Sequence, residues 1–173
     1  MNMPINVLFL CSKNSARSIM AEAILNSSGN EQIRGFSAGR FPRGAINPKA
    51  SKVLGKTGLE TDNLRSKSWD EYAGMDTTPM HIVITVCQTL ESCEIPNFYG
   101  NLVRSHWPIE GLDPIDEGLS EEESVRVFSG AFDKLESCIN AFLDLPFEQM
   151  DGFVLQEAVD RIWQSNVGKS ALG

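Results

Sequence analysis

Two kinds of apolar run alternate along this chain. Ile5–Leu10 is short and almost continuously apolar, the pattern of a strand buried on both faces. Ser15–Ser27 carries Ile19, Met20, Ala23 and Ile24 at helical spacing. Ile33–Ser37 predicts a second strand, followed by a loop, AGRFPRGAINP, punctuated by Gly and Pro. Pro48–Gly58 predicts a helix that ends on its glycine, and Trp69–Tyr72 a short helical turn. His81–Val86 is a β-branched run that leads straight into Cys87, and Asn101–Trp107 predicts a fourth strand. PIEGLDPIDEGLSEEE then forms a loop. Within it Ser120 has the character of a helix N-cap, with Glu121–Glu123 in the first turn. Val125–Leu143 predicts a long amphipathic helix. Beyond Leu145-Pro146, apolar residues return at helical spacing over Val154–Trp163, and SNVGKSALG reads as a disordered tail.

This order predicts a three-layer α/β domain: a mainly parallel sheet of four strands with helices on both faces. In such sheets ligands gather outside the carboxyl ends of the strands. Cys11 and Cys87 each follow a predicted strand, so both belong to that edge.

A formal net charge of −8 argues against a nucleic-acid partner or an anionic membrane surface. No apolar stretch reaches the length of a membrane span, and the first apolar run lacks the basic flank of a signal peptide. The expected compartment is cytoplasmic. Four cysteines, Cys11, Cys87, Cys93 and Cys138, are too few for a disulfide scaffold and contain no CxxC pair. With two histidines in the chain, no metal site is expected.

Chemistry concentrates in CSKNSARS, Cys11–Ser18. A loop between strand end and helix start can turn its backbone N–H groups inward as an anion nest. The helix N-terminus adds partial positive charge, and Arg17 can grip two oxygens of a tetrahedral oxyanion. A thiol in that field ionises readily and becomes a nucleophile. Ser12, Lys13, Asn14, Ser15, Ala16, Arg17 and Ser18 are therefore the expected substrate-binding residues, with Cys11 as nucleophile. Asn14 tolerates a left-handed backbone, and a Ser15 or Ser18 hydroxyl can bond the sulfur. A leaving oxygen needs a proton donor. Asp113, set before Pro114, is the candidate, with Asp116 competing.

VLFLCSKNSARSIMA resembles the phosphate-binding loop, C-x5-R-[ST], of the low-molecular-weight protein tyrosine phosphatase superfamily. GFSAG, Asn47-Pro48, RSKSWDE and VITVC are similar to the branch that contains thiol-dependent arsenate reductases, and HWPIEGLDP to that branch's acid loop. The resemblance implies the low-molecular-weight phosphatase-like fold over residues 1–146, with 147–173 as a C-terminal helical extension and tail. It implies reduction of arsenate to arsenite, as in arsenical resistance, with Cys87 as the redox-active resolving cysteine. It implies Asp113 as the acid and no tightly bound cofactor. The disulfide left behind would be reduced by an external thiol system, thioredoxin or glutathione/glutaredoxin. Cys93 is either a third, shuttling thiol or a passive loop cysteine. At His81 and Gln88 the sequence departs from the branch, which often carries Asp there. The alternatives are a phosphatase acting on phosphotyrosine or a small phosphomonoester, and a non-enzymatic oxyanion-binding module. A phosphotyrosine phosphatase would need an aromatic rim, for which Phe98, Tyr99 and Trp107 are the nearby candidates. Cys138, His106 and Trp107 read as scaffold.

Overall fold

The computed structural model describes residues 3–109 and 118–170, with 167–170 as backbone. Four parallel strands, β1 (Ile5–Cys11), β2 (Ile33–Gly39), β3 (Ile82–Thr85) and β4 (Val103–His106), form one sheet in the order β2-β1-β3-β4. Val7, Leu8, Phe9 and Leu10 are all 0% exposed, so both faces of β1 are covered. This is why the run shows no alternation. The outer strands present Arg34 and Arg104, each the second residue of its strand, to solvent, which blunts the sheet edges.

Four α-helices cover the sheet: α1 (Arg17–Asn26), α2 (Pro48–Thr57), α3 (Glu121–Leu143) and α4 (Gly152–Ser170). The side chain of Asn47 caps α2 by accepting from Lys49 N–H, Pro48 opens it, and Gly58 closes it at φ 75°. α3 starts four residues before its apolar periodicity does. Ser120 and Glu123 form a capping box there, and three glutamates occupy the first turn. Phe128, Phe132, Leu135, Ile139 and Phe142 of α3 join the strands in the core.

Two expectations change. α1 begins at Arg17, not Ser15, because Ser15 and Ala16 belong to the preceding loop (Ala16 φ −141°, ψ −79°). The stretch read as a disordered tail continues α4 to Ser170. Leu155, Val159 and Ile162 anchor α4 in the core, Trp107 Nε1–H donates to Val159 O (3.2 Å), and Ser105 Oγ–H donates to Asp160 (2.6 Å). Ser137 Oγ–H donates to Asn166 (2.6 Å), tying the far end of α4 to α3.

Candidate active site

The carboxyl ends of all four strands lie in register. Cys11 faces Gly39, Leu10 faces Thr85, and Thr85 faces His106. From Cys11 the chain turns through Ser12–Ala16 into α1. Asn14 makes the turn with φ 43° and is fully buried, its short polar side chain bracing the left-handed backbone. Its Nδ2–H donates to Ser18 Oγ (2.7 Å), and its Oδ1 accepts the Lys67 N–H (2.9 Å). Neighbouring segments take the loop's carbonyls: Phe41 N–H on Ser12 O, Arg43 N–H on Lys13 O, Asn47 N–H on Ser15 O. With the carbonyls drawn outward, the loop's amides are left to face a bound anion. Gly39 makes the close approach possible, since a Cβ there would lie 2.8 Å from Asn14 N and 2.9 Å from Asn14 Cβ.

Arg17 opens α1 and is 5% exposed. One of its N–H groups donates to Ile109 O (2.7 Å), while Ile109 N–H donates to Val86 O (3.2 Å). Arg17, the end of β3 and the segment after β4 are thereby joined at the loop.

Cys11 and Cys87 are buried, and no cysteine is in a disulfide. Because β1 and β3 are neighbours, the two thiols meet. Cys87 is drawn down from the ordinary thiol value to about 5, first by its hydrogen bond with Cys11. Burial opposes this, while a hydrogen bond with Thr89, the charge of Arg17 and the backbone of Ser12 add to it. The hydrogen bond joins the two sulfurs, with the Arg17 charge beside them, and favours the thiolate form of Cys87. Outside them, Cys87 Sγ lies 3.2 Å from Thr89 Oγ1, and the half-buried Cys93 Sγ donates to Thr89 O (3.2 Å). Arg40 Nη1–H points at Cys93 Sγ (3.2 Å). A groove of about 360 Å³ lined by Leu90, Glu91, Cys93, Ile95, Arg104 and His106 runs beside the outer thiol.

Beneath the loop lies a buried polar cluster. Lys67 Nζ is 4.0 Å from Glu22 Oε2 and donates to Arg65 O (2.9 Å), and Ser37 Oγ–H donates to Glu22 (3.0 Å). Burial pushes the Glu22 carboxyl up and the Lys67 ammonium down, against their mutual attraction. Desolvation outweighs pairing at both ends.

Residues 6–151 match the low molecular weight phosphotyrosine protein phosphatase family. The chain belongs to that family. Among its relatives is an arsenate reductase of Oceanobacillus iheyensis, 30% identical over 136 residues, which span 79% of this chain and 93% of the relative. An arsenate reductase from Archaeoglobus fulgidus superposes with a TM-score of 0.56 at 26% identity, covering 78% of this chain and 98% of that one. An arsenate reductase in a phosphate-binding state shares the fold, with a TM-score of 0.64 at 21% identity over 80% of this chain and 96% of that one.

The structure brings together Cys11, the loop, Arg17 and Cys87, with Cys93 one shell further out. Asp113 and Asp116 lie outside the described residues. Cys138 is 0% exposed, and burial pushes its thiol up to about 11, as for a core cysteine. Of the aromatic rim candidates for a phosphotyrosine phosphatase, Phe98 and Trp107 are buried. Tyr99, whose carbonyl accepts Met80 N–H, sits near the opposite, amino end of β3. The exposed aromatic beside the loop is instead Phe41. Sequence reasoning missed Arg40, Phe41, Thr89 and the Glu22–Lys67 pair. Arg40 did carry one signal, a cation immediately after a strand on the ligand-bearing edge. Among the described residues no three metal-ligating side chains gather, and no helix is long and apolar enough to cross a membrane.

Proposed function

We propose that this protein reduces arsenate to arsenite with a pair of cysteines, regenerated by an external thiol system. The observation that carries the reading is the contact of Cys87 with Cys11 directly above the oxyanion loop. Hydrolysis of a phosphomonoester needs one sulfur there, whereas reduction of arsenic needs two. The arsenate reductases among the relatives support the same substrate.

Arsenate enters the loop between backbone amides and Arg17. The Cys11 thiolate attacks arsenic, and an oxygen departs as water after protonation. Asp113 is the donor in this reading. Arg17 supports it, since its partner Ile109 lies four residues before Asp113 in the chain. Cys87 then attacks the Cys11 sulfur. The S–As bonding pair passes to arsenic, arsenite leaves, and a Cys11–Cys87 disulfide remains. Two thiols are oxidised as As(V) becomes As(III). Cys93 takes the disulfide outward by attacking Cys87, toward the groove where a thioredoxin-type or glutathione/glutaredoxin reductant meets it.

The test is a single turnover with arsenate and no reductant, followed by peptide mapping of disulfides and quantification of arsenite. One arsenite per chain with a Cys11–Cys87 or Cys87–Cys93 disulfide is expected, and Cys87→Ser abolishes steady-state reduction. Unchanged turnover in Cys87→Ser would sink the reading. The exposed Phe41 beside the loop favours the phosphatase as second reading. Hydrolysis of an aryl phosphate without arsenite formation is the result that would select it.

A further inference from the structure

Arg40 follows β2 directly, yet its guanidinium reaches a thiol 53 residues away in the chain. One N–H donates to Cys93 Sγ at 3.2 Å. The guanidinium also lies 4.9 Å from the centroid of the Phe41 ring, and Phe41 is fixed by its backbone to Ser12 O of the phosphate-binding loop. Lying over that ring narrows the rotamers open to Arg40, so less entropy is lost in keeping the contact. On its other side Cys93 Sγ meets Thr89 O, and the Thr89 hydroxyl meets Cys87 Sγ. The outer thiol therefore sits between a cation anchored on the loop side and the residue that bridges it to the inner pair.

We propose that Arg40 is a positioning residue for thiol–disulfide exchange: it holds the Cys93 sulfur beside Thr89 and stabilises the negative charge that sulfur carries in the exchange. The proposal rests on the cysteine relay described above. In that step Cys93, its proton lost to solvent, attacks the Cys87 sulfur of the Cys11–Cys87 disulfide. The Cys87–Cys93 bond forms, the Cys11–Cys87 bond breaks, and Cys11 leaves as thiolate. One disulfide moves outward with no net oxidation. When an external dithiol then attacks the outer sulfur of Cys93, Cys87 leaves as a thiolate; the second thiol of the dithiol resolves the mixed disulfide, and Cys93 leaves as a thiolate, again beside the guanidinium. A hydrogen bond from a charged donor strengthens as its acceptor becomes anionic, so Arg40 favours the charged states over the neutral one. Arg40 is exposed, and solvent screening limits the gain to a few-fold.

The test uses the full chain carrying Cys11→Ser and Cys87→Ser, which leaves Cys93 as the accessible thiol while Cys138 stays in the core. The rate of exchange with the uncharged disulfide 4,4′-dithiodipyridine is measured for this parent, for R40M and for R40K. R40M is expected to slow Cys93 about fivefold, and R40K to recover most of the loss. Equal rates in the parent and R40M overturn the proposal. So does an R40K as slow as R40M, which would mean that shape and not charge matters. The assay needs no arsenate chemistry. Failure of the reductase reading appears as a missing disulfide in the single turnover, and failure of the Arg40 role appears here.

Discussion

Replacing Gly39 with alanine tests the packing of the phosphate-binding loop most directly. Gly39 ends β2 opposite Cys11, and its N–H donates to Lys67 O (2.9 Å). An added Cβ would sit 2.8 Å from Asn14 N, 2.9 Å from Asn14 Cβ and 3.0 Å from Cys11 O. Comfortable carbon contacts begin near 3.5 Å, so the overlap is roughly half an ångström or more, and every near atom belongs to the loop's own framework. Asn14 cannot rotate away, because Ser18 and the Lys67 backbone hold its side chain. The loop must therefore move. Overpacking of this kind costs about 2 kcal/mol, or about 4–8 °C in Tm for a chain of this size. A loop shifted by half an ångström misaims its amides and the Cys11 sulfur, which lowers kcat/KM for arsenate by about tenfold. Gly130→Ala in α3 is the control, since nothing lies within 4 Å of its added Cβ. Thermal unfolding and steady-state reduction measured side by side decide the matter. A Gly39→Ala protein with unchanged Tm and unchanged kcat/KM would refute the reasoning.

Four further outcomes are expected. Iodoacetamide should still alkylate Cys87 as pH falls to about 5, because its thiol lies there in place of the ordinary 9.0, and loss of reactivity near pH 8–9 would contradict the lowered thiol. A thiol drawn down on folding stabilises the native state above its unfolded value, so the urea midpoint should drop as pH falls from 9 through about 5. Lys67→Met leaves Glu22 buried without its cation and should cost about 3 kcal/mol at pH 8 by urea unfolding. Burial already pushes the Glu22 carboxyl up, so protonation relieves the defect: the deficit should shrink toward pH 5, and a deficit independent of pH would exclude this origin. Gly130→Ala should itself raise stability by about 0.8 kcal/mol, through helix propensity at an open helical position.

Local pattern was enough for the elements. Continuous apolar runs announced strands covered on both faces, and Asn47-Pro48, Gly58 and Ser120 marked helix ends through capping chemistry that acts within a few residues. Cys11, Asn14 and Arg17 were legible for the same reason: the nest is built within one turn of chain. Ser120 and the glutamates after it placed the start of α3 four residues ahead of its apolar periodicity, because a capping box acts through polar groups that periodicity does not register. The length of α4 was underestimated because contacts from α3 and β4 sustain it. Strand order lay beyond the sequence. Cys87 could be assigned to an edge of the sheet, but only the order β2-β1-β3-β4 makes β1 and β3 neighbours and brings two thiols into contact. Arg40 on Cys93 and Lys67 on Glu22 likewise join residues 53 and 45 positions apart. No spacing rule encodes such pairs. They exist because the folded sheet brings distant loops to one edge, where burial and charge shift what each side chain can do.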